Sequence, residues 1–263
     1  MDYLDASTET EFIAVATVLQ EVQDRARTCG VDIMLVGAAA RDILIRHVVG
    51  SPLQRATRDV DIAVAVKSWS EVECLTRSMD PTRGVVHKFL VLGTEVDVIP
   101  FGGIESPERT ITWPNDQEMD VFGFAEALSS AVRVKLPGDL TVFVASLAAQ
   151  SLLKLLAWKD RHYQDRKDAI DLSSIIDAYS QGPYFEQLYD DHENYLVQYE
   201  YDAALAGAAR MGHEARDLIA EQNREKIRAL LNDEDIRARL AADMGGMSEP
   251  NLELINAYRA GYG

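Results

Sequence analysis

Two short segments carry carboxylates at a spacing that suits metal-dependent chemistry. Residues 57–61 read TRDVD and run into the apolar stretch IAVAV, and a later segment reads TEVDV. Side chains alternate across a strand, so Asp59 and Asp61 share one face, as do Glu95 and Asp97. If the two strands are neighbours, the three aspartates converge. Such a group favours hard cations, Mg²⁺ above all with Mn²⁺ as the alternative, and two such ions can hold the attacking and leaving oxygens of a phosphoryl transfer.

The elements before the DxD segment strengthen this interpretation. On its own, a DxD more often marks a solvated strand end or a turn. Here VDIMLV (31–36) predicts a buried strand that stops at Gly37, and AAARDILIRHVV predicts a helix that starts at once. A helix N-terminus beside acidic metal ligands is suited to bind phosphate.

The remaining pattern predicts an α+β fold in which a mixed sheet flanked by helices is followed by an all-helical domain. We expect the first domain to span residues 1–145 and the second 146–263. The other predicted elements are a helix over 8–28 with a Thr8–Glu11 capping box and a Gly30 cap, a strand over 60–66, a helix over 70–79, two strands within 87–101, a surface loop over 102–120, a strand LTVFVA, three later helices, and a loosely ordered tail from about 245.

Composition narrows the function classes. The chain has 263 residues, 47% hydrophobic and 26% charged, which is typical of a globular protein. Its formal net charge of −17 argues against broad nucleic-acid binding, but not against a metal-bridged phosphate or a basic protein partner. Cys29 and Cys74 are far apart with no CxxC, so we expect no disulfide and a reducing environment. No signal peptide or membrane span is evident, which predicts a cytoplasmic protein without membrane contact.

Two segments resemble a known family. VGAAARDIL followed by RATRDVDIAVAV resembles the nucleotidyltransferase fold of the DNA polymerase β superfamily, and LLKLLAWKDRHYQDRKDAIDL resembles the Lys…Arg…(Arg/Lys)-Asp-x-x-Asp-Leu segment of the AbiEii/AbiGii toxin family. The resemblance runs from about residue 31 to about 180. It implies an enzyme that moves NMP from an NTP onto an acceptor hydroxyl, a tRNA 3′ end or a protein, and releases pyrophosphate. It also implies a toxin with a cognate antitoxin.

The resemblance assigns roles to four residues of the first domain. Asp59 and Asp61 match the metal-binding pair. Asp97 is the expected third acid, which draws the proton from the acceptor hydroxyl or holds a second metal. Thr57 matches the Ser/Thr that precedes the pair and contacts phosphate.

The glycine turn departs from the family pattern at one position. The family usually has Gly-Gly or Gly-Ser, and this chain has Gly37-Ala38, so Ala38 has only its backbone N–H to offer a phosphate. Arg41 and Asp42 resemble the GG-x-x-RD opening of tRNA CCA-adding enzymes, which makes Arg41 a candidate nucleotide contact. The alternative is a first-turn surface arginine paired with a neighbouring acid.

The helical domain contributes the last matches. Lys154 matches the lysine expected to contact the triphosphate, and Asp168 or Asp171 matches the acid of the last motif. The helical spacing alone predicts that Lys154 is an exposed lysine. The same spacing predicts that Asp168 and Asp171 lie on a solvated helix face or form ion pairs with Lys167 or Arg166.

Two other function classes remain open. One is a nucleotidyltransferase of the same fold that modifies a small molecule such as an antibiotic, and the acidic charge suits it. The other is a non-catalytic nucleotide-sensing or partner-binding module. A group of aromatic residues could stack on a base, but we expect it to pack between helices: Tyr184, Phe185, Tyr189, Tyr195, Tyr199 and Tyr201.

Overall fold

The computed structural model describes residues 3–50 and 59–263. The strands of this part of the chain are β1 (Tyr3–Asp5), β2 (Asp32–Val36), β3 (Asp59–Val66), β4 (Asp80–Pro81), β5 (Lys88–Val91), β6 (Thr94–Gly102), β7 (Thr110–Thr112), β8 (Glu118–Asp120), β9 (Val132–Leu136) and β10 (Leu140–Val144). Its helices are α1 (Ile13–Cys29), α2 (Gly37–Val49), α3 (Trp69–Thr76), α4 (Phe124–Ser129), α5 (Leu147–Arg161), α6 (Lys167–Ala178), α7 (Gly182–Asp190), α8 (Glu193–Gln198), α9 (Ala203–Leu218), α10 (Arg224–Asn232), α11 (Glu234–Asp243) and α12 (Ser248–Tyr262).

The described residues divide into two compact units. The first is drawn from Met1–Ile43 and Leu53–Ser146, and the second from Leu44–Pro52 and Leu147–Gly263. The first unit holds the sheet, and the second holds the helices from α5 onward together with the end of α2.

A mixed sheet organises the first unit. Its described strands lie in the order β1-β9-β10-β2-β3-β6-β5-β4, with β2 antiparallel to β3 and β3 parallel to β6. The centre of β3 is fully buried, as Ile62, Ala63 and Val64 show, because α3 covers the strand and the sheet continues on both sides of it. The predicted α+β class with a mixed sheet is confirmed. The condition on which the aspartates converge is also met, because β3 and β6 are adjacent in the sheet.

The first helix begins later than the sequence suggests. β1 uses residues 3–5, a 3-10 turn occupies Thr10–Phe12, and α1 begins at Ile13. The N-cap residues are Glu9 for the 3-10 turn and Phe12 for α1, so the predicted Thr8 cap is wrong. The chain leaves β1 and buries Phe12 before it can enter the helix. The predicted cap at Gly30 is confirmed, with φ at +69°.

The two cysteines form a disulfide, contrary to the sequence prediction. Cys29 ends α1 and Cys74 lies in α3, and their sulfurs are bonded. Helices α1 and α3 pack against each other, which brings together residues that are 45 positions apart. Sequence spacing gives no sign of this contact.

The segment predicted as a long surface loop contains a small sheet. Strands β7 and β8 pair antiparallel, and Ile111 of β7 and Trp113 just after it are buried. Arg109 bonds to Glu105 and Glu126 and so ties the segment to α4. Gly and Pro correctly mark the turns at each end, but the short apolar alternation between them is enough for a hairpin.

The second unit is helical to its end. α5, α6 and α9 pack together, and α12 lies along α9. The contact is close because Gly212 and Gly261 have no side chains: a Cβ on Gly261 would lie 1.8 Å from the Ala209 carbonyl oxygen. The expectation of a loosely ordered tail is therefore wrong, since Tyr258 and Tyr262 of α12 are buried. No helix among the described residues is long and apolar enough to cross a membrane.

Candidate active site

Four carboxylates lie on one face of two adjacent strands. In the parallel β3–β6 pair, Asp59 is opposite Glu95 and Asp61 is opposite Asp97. Residues opposite each other point to the same face, and neighbouring strands are about 4.8 Å apart. All but Glu95 are half-buried, in contrast to the fully buried Val60 and its neighbours. The structure thus brings together the acids that the sequence predicted, at the ends of both strands.

Gly37 is fitted against one of these carboxylates. It is the residue at which β2 becomes α2, its φ is +70°, and a Cβ on it would lie 2.1 Å from Oδ2 of Asp61. Only glycine combines this backbone conformation with this close approach. The amides of the α2 N-terminus carry partial positive charge, which favours both the Asp61 carboxylate and a phosphate at this position. Ala38 follows, half-buried, with only a methyl side chain.

A lysine from the next strand holds the third acid. Lys88 on β5 is opposite Asp97, and its Nζ lies 3.0 Å from Asp97 Oδ1 and 3.2 Å from Glu95 Oε2. Burial lowers the pKa of Lys88, but Asp97 and Glu95 outweigh it, so that the pKa is raised. Sequence reasoning did not single out this lysine, because only the register of β5 against β6 shows what it faces.

The arrangement fits a metal site with two aspartate ligands. Asp59 and Asp61 share a face, and the Asp61 carboxylate is fixed against the glycine turn. Across residues 3–50 and 59–263, no three His, Cys, Asp or Glu side chains are placed to hold a metal ion together. Asp97 is therefore next to Asp61 in the sheet without completing a three-ligand group. Thr57 lies outside the described residues.

Arg41 is not the surface residue that one interpretation described. Its Nε and Nη2 donate to Oδ1 of Asp42 at 2.8 and 2.6 Å, and both side chains are buried. The predicted pairing with a neighbouring acid is correct. The predicted exposure of Arg41 is wrong, because this face of α2 is packed: the neighbouring Ala40 and Ile43 are buried too.

A buried ion-pair cluster occupies the second unit. Lys154 Nζ on α5 donates to Asp168 Oδ1 at 3.0 Å and to Asp171 Oδ2 at 2.6 Å, both on α6. Arg161 donates to both oxygens of Asp168, at 2.6 and 3.0 Å. Burial opposes the charged forms, but the opposite charges prevail: the pKa of Lys154 is raised and that of Asp168 is lowered.

This cluster corrects the exposed-residue interpretations. Only 14% of the Lys154 side chain is exposed, and Asp168 and Asp171 are buried too. The acids bond Lys154 and Arg161, not the neighbouring Lys167 or Arg166 suggested by spacing. The lysine stripe of α5 is covered because α6 packs on it. The structure thus joins all three family-matched residues of this unit in one network.

Half of the aromatic group packs between helices, as expected, namely Tyr184, Tyr195 and Tyr199. Tyr184 stacks on Tyr179 with ring centres 4.3 Å apart, and the Arg210 guanidinium lies 5.5 Å from each ring centre. Glu214 accepts hydrogen bonds from Arg210 and from the Tyr179 hydroxyl. Burial raises the pKa of Tyr184 to about 12. Three aromatic side chains of the group are exposed: Phe185, Tyr189 and Tyr201.

A glycine turn at a helix N-terminus beside paired aspartates is the arrangement of the nucleotidyltransferase class. The chain belongs to the AbiEii family: residues 34–259 match the family described as nucleotidyl transferase AbiEii toxin, type IV toxin–antitoxin system. It is thus a nucleotidyltransferase, and the resemblance drawn from the two sequence segments is confirmed. Nucleotidyltransferases generally use divalent metals, and this toxin–antitoxin family implies a cognate antitoxin.

Other comparisons are more distant. No curated protein matches the sequence. Among solved structures, the chain is similar to the solution structure of the antibiotic-resistance factor ANT(2″)-Ia, with 12% identity, a TM-score of 0.41, and coverage of 71% of this chain and 94% of that one. It is similar also to the crystal structure of ANT(2″)-Ia in complex with adenylyl-2″-tobramycin, with 10% identity, a TM-score of 0.41, and coverage of 71% and 99%.

Proposed function

We propose that this nucleotidyltransferase is metal-dependent and transfers NMP from an NTP to an acceptor hydroxyl, with release of pyrophosphate. The observation that carries the proposal is the contact between Gly37 and Asp61. It sets one acid of the DxD pair at the N-terminus of α2, where a phosphate is also favoured.

The first unit supplies the metal and nucleotide groups of the proposal. Asp59 and Asp61 would hold Mg²⁺ or Mn²⁺, which supplies positive charge to the phosphate oxygens when bound. The α2 N-terminus from Gly37 to Arg41 would contact the nucleotide, and Thr57 would contact phosphate. Asp97 accepts the proton of the acceptor hydroxyl. The hydroxyl oxygen of the acceptor then forms a bond to the α-phosphorus of the NTP, and the bond between the α-phosphorus and the pyrophosphate oxygen breaks.

The remaining proposed catalytic residues lie in the second unit. The resemblance drawn from the sequence assigns Lys154 to the triphosphate and either Asp168 or Asp171 to the last motif. The proposal is supported by the hydrogen bonds of Lys154 to both Asp168 and Asp171, which join the three residues in one network. We propose residues 1–145 as the catalytic domain and 146–263 as a helical domain.

Family membership supports a biological role. We propose that the protein is the toxin of a toxin–antitoxin or phage-defence pair, that it acts in the cytoplasm where NTPs are available, and that its acceptor is a tRNA 3′ end or a protein hydroxyl. The cognate antitoxin would be its protein partner.

One observation favours a different acceptor. The net charge of −17 disfavours a polyanion such as tRNA, whereas a cationic small molecule would be attracted to an acidic surface. A small-molecule nucleotidyltransferase is therefore the second candidate. A non-catalytic module of the same fold would bind NTP without turnover.

The test has two stages. Calorimetric titration of the four NTPs with and without Mg²⁺ identifies the donor, and transfer of α-³²P label onto tRNA, protein or aminoglycoside identifies the acceptor. Asp59→Asn and Asp61→Asn should each reduce transfer by about 100-fold or more, as loss of a group acting on the transition state does. Asp24→Asn, an exposed acid on α1, is the control and should leave transfer unchanged. Full activity in the Asp59 and Asp61 variants would refute the assignment.

A further inference from the structure

The acidic face of β3 and β6 poses an electrostatic problem. Asp59, Asp61, Glu95 and Asp97 lie in two opposed pairs on adjacent strands. Like charges directly opposite each other in a sheet are destabilising, and the half-buried aspartates are only partly screened by water. A fold with this face needs positive charge close to it.

Lys88 provides such a charge from within the sheet. It pairs with Asp97 in the antiparallel β5–β6 register, and its Nζ bridges Asp97 Oδ1 at 3.0 Å and Glu95 Oε2 at 3.2 Å. Only 19% of its side chain and 16% of that of Asp97 are exposed. The ammonium is thus a fixed part of the site rather than a mobile surface group.

This position conflicts with a metal ion on Asp97. A second divalent ion bound to the Asp97 carboxylate would lie within a few ångströms of the Lys88 ammonium, and the two cations would repel each other strongly in this half-buried setting. The side-chain arrangement agrees, because no described group of three acids is placed around one ion.

We propose that Lys88 is a positioning residue that takes the place of a second divalent ion, so that the transfer reaction uses a single ion, held by Asp59 and Asp61. This inference rests on the proposed function. The Lys88 ammonium, 3.0 Å from Asp97 Oδ1, forms an ion pair with the Asp97 carboxylate and neutralises part of the acidic face. Asp97 then serves the acceptor hydroxyl and not a metal.

Counting bound Mn²⁺ by electron paramagnetic resonance tests the proposal without any turnover. An acidic protein also binds some Mn²⁺ non-specifically. The number of ions at a specific site is therefore taken as the difference in bound Mn²⁺ between a protein and the same protein with one aspartate changed. In the wild-type chain, Asp61→Asn should remove one ion and Asp97→Asn should remove none. In Lys88→Met, which keeps length but not charge, one further ion should bind and should be lost again on Asp97→Asn.

Two variants control for charge and folding. Lys88→Arg keeps the positive charge and should keep the wild-type count. Lys135→Met removes a lysine that pairs with the exposed Asp139 and should change nothing. Thermal unfolding of each variant confirms that it is folded; if Lys88→Met does not fold, Asp97→Asn in the wild-type background still decides the question.

The outcomes separate this inference from the proposed function. If Asp97→Asn removes an ion from the wild-type chain, or if Lys88→Met gains none, the inference is wrong and metal-dependent transfer still stands. If Asp61→Asn removes no ion, the metal site itself is wrong and both fail. A Mn²⁺ affinity for the extra ion that is at least about tenfold higher in Lys88→Met than in the wild type would support the charge argument.

Discussion

Gly37 and Asp61 touch where the chain leaves β2 and enters α2: a Cβ on Gly37 would lie 2.1 Å from Asp61 Oδ2 and 2.7 Å from its Cγ. The contact links the two sequence motifs of the first unit, the glycine turn and the DxD, in one structural element. The pairing of Val36 with Asp61 in the β2–β3 ladder puts the turn at this point. The acid is therefore oriented by backbone rather than by a flexible side chain.

Substitution of Gly37 by alanine should disturb the site as well as the backbone. The left-handed φ of +70° costs an alanine about 1–2 kcal/mol, and the new methyl group must also displace the Asp61 carboxylate. We expect Gly37→Ala to lose stability and to lose Mn²⁺ binding together, as measured by urea unfolding and by Mn²⁺ titration.

Gly30 offers a matched control for this variant. Its φ is +69°, and nothing lies within 4 Å of a Cβ placed on it. Gly30→Ala should therefore show the backbone cost alone and bind Mn²⁺ normally. Equal effects of the two substitutions on stability, with metal binding intact in both, would show that the Asp61 contact does not constrain the site.

The buried cluster of the second unit should make stability depend on pH. The pKa of Asp168 is lowered because Arg161 and Lys154 outweigh its burial. A lowered pKa means that the stabilisation is complete above the unfolded-state pKa of about 3.9 and is lost as pH falls through the folded-state value. We therefore expect the free energy of unfolding of the wild-type chain, measured in urea, to decrease as the pH falls below about 4; this decrease is the acid limb of the stability profile.

Asp168→Asn should remove part of that limb and lower stability at pH 7. Loss of the charge leaves the buried Lys154 with Asp171 alone, and breaking a buried ion pair costs about 3 kcal/mol or more. Asp160→Asn, which changes an exposed acid on α5, should change stability by less than about 0.5 kcal/mol. An unchanged acid limb in Asp168→Asn would rule out Asp168 as its source.

Much of the first unit followed from local pattern. The apolar run after Asp61 correctly predicted a buried strand. The stop at Gly37 correctly marked the strand–helix turn, because a positive φ favours glycine. Alternation along each strand placed the acids on one face. The neighbour relation between β3 and β6 was a condition in the sequence argument, and the parallel register satisfies it.

The misses share a cause, which is that they depend on contacts between distant segments. Lys88 faces Asp97 only through the β5–β6 register, Lys154 is buried only because α6 covers it, and the disulfide exists only because α1 packs on α3. Periodicity within one segment reports which face is apolar but not what lies against it. Polar residues buried by a partner element are therefore the ones that single-sequence reasoning described as exposed.

The Cys29–Cys74 disulfide should stabilise the first unit measurably. Closing a loop between residues 45 apart restricts the unfolded chain and contributes about 2–4 kcal/mol. Reduction with dithiothreitol should lower the unfolding free energy by that amount, and Cys29→Ser/Cys74→Ser should show the same loss without any reductant. A thiol assay in denaturant should find no free thiol before reduction and two after. Two free thiols in protein purified without reductant would contradict the pairing.

Gly261 gives the most direct test of how the C-terminal helix is held. In an isolated helix, Gly→Ala is stabilising by about 1 kcal/mol, because alanine loses less backbone entropy. Here a Cβ on Gly261 would lie 1.8 Å from the Ala209 carbonyl oxygen, so the two helices would have to separate. We therefore expect Gly261→Ala to destabilise the protein by about 1–3 kcal/mol in urea unfolding, whereas the same substitution would stabilise an isolated helix.

Ala260→Gly supplies the comparison, because Ala260 is the exposed neighbour on the same helix and should lose only the propensity cost of about 1 kcal/mol. Stabilisation by Gly261→Ala would mean that α12 does not lie against α9. The loosely ordered tail expected from the sequence would then be the better description, because a helix free of its partner would gain from alanine at every glycine.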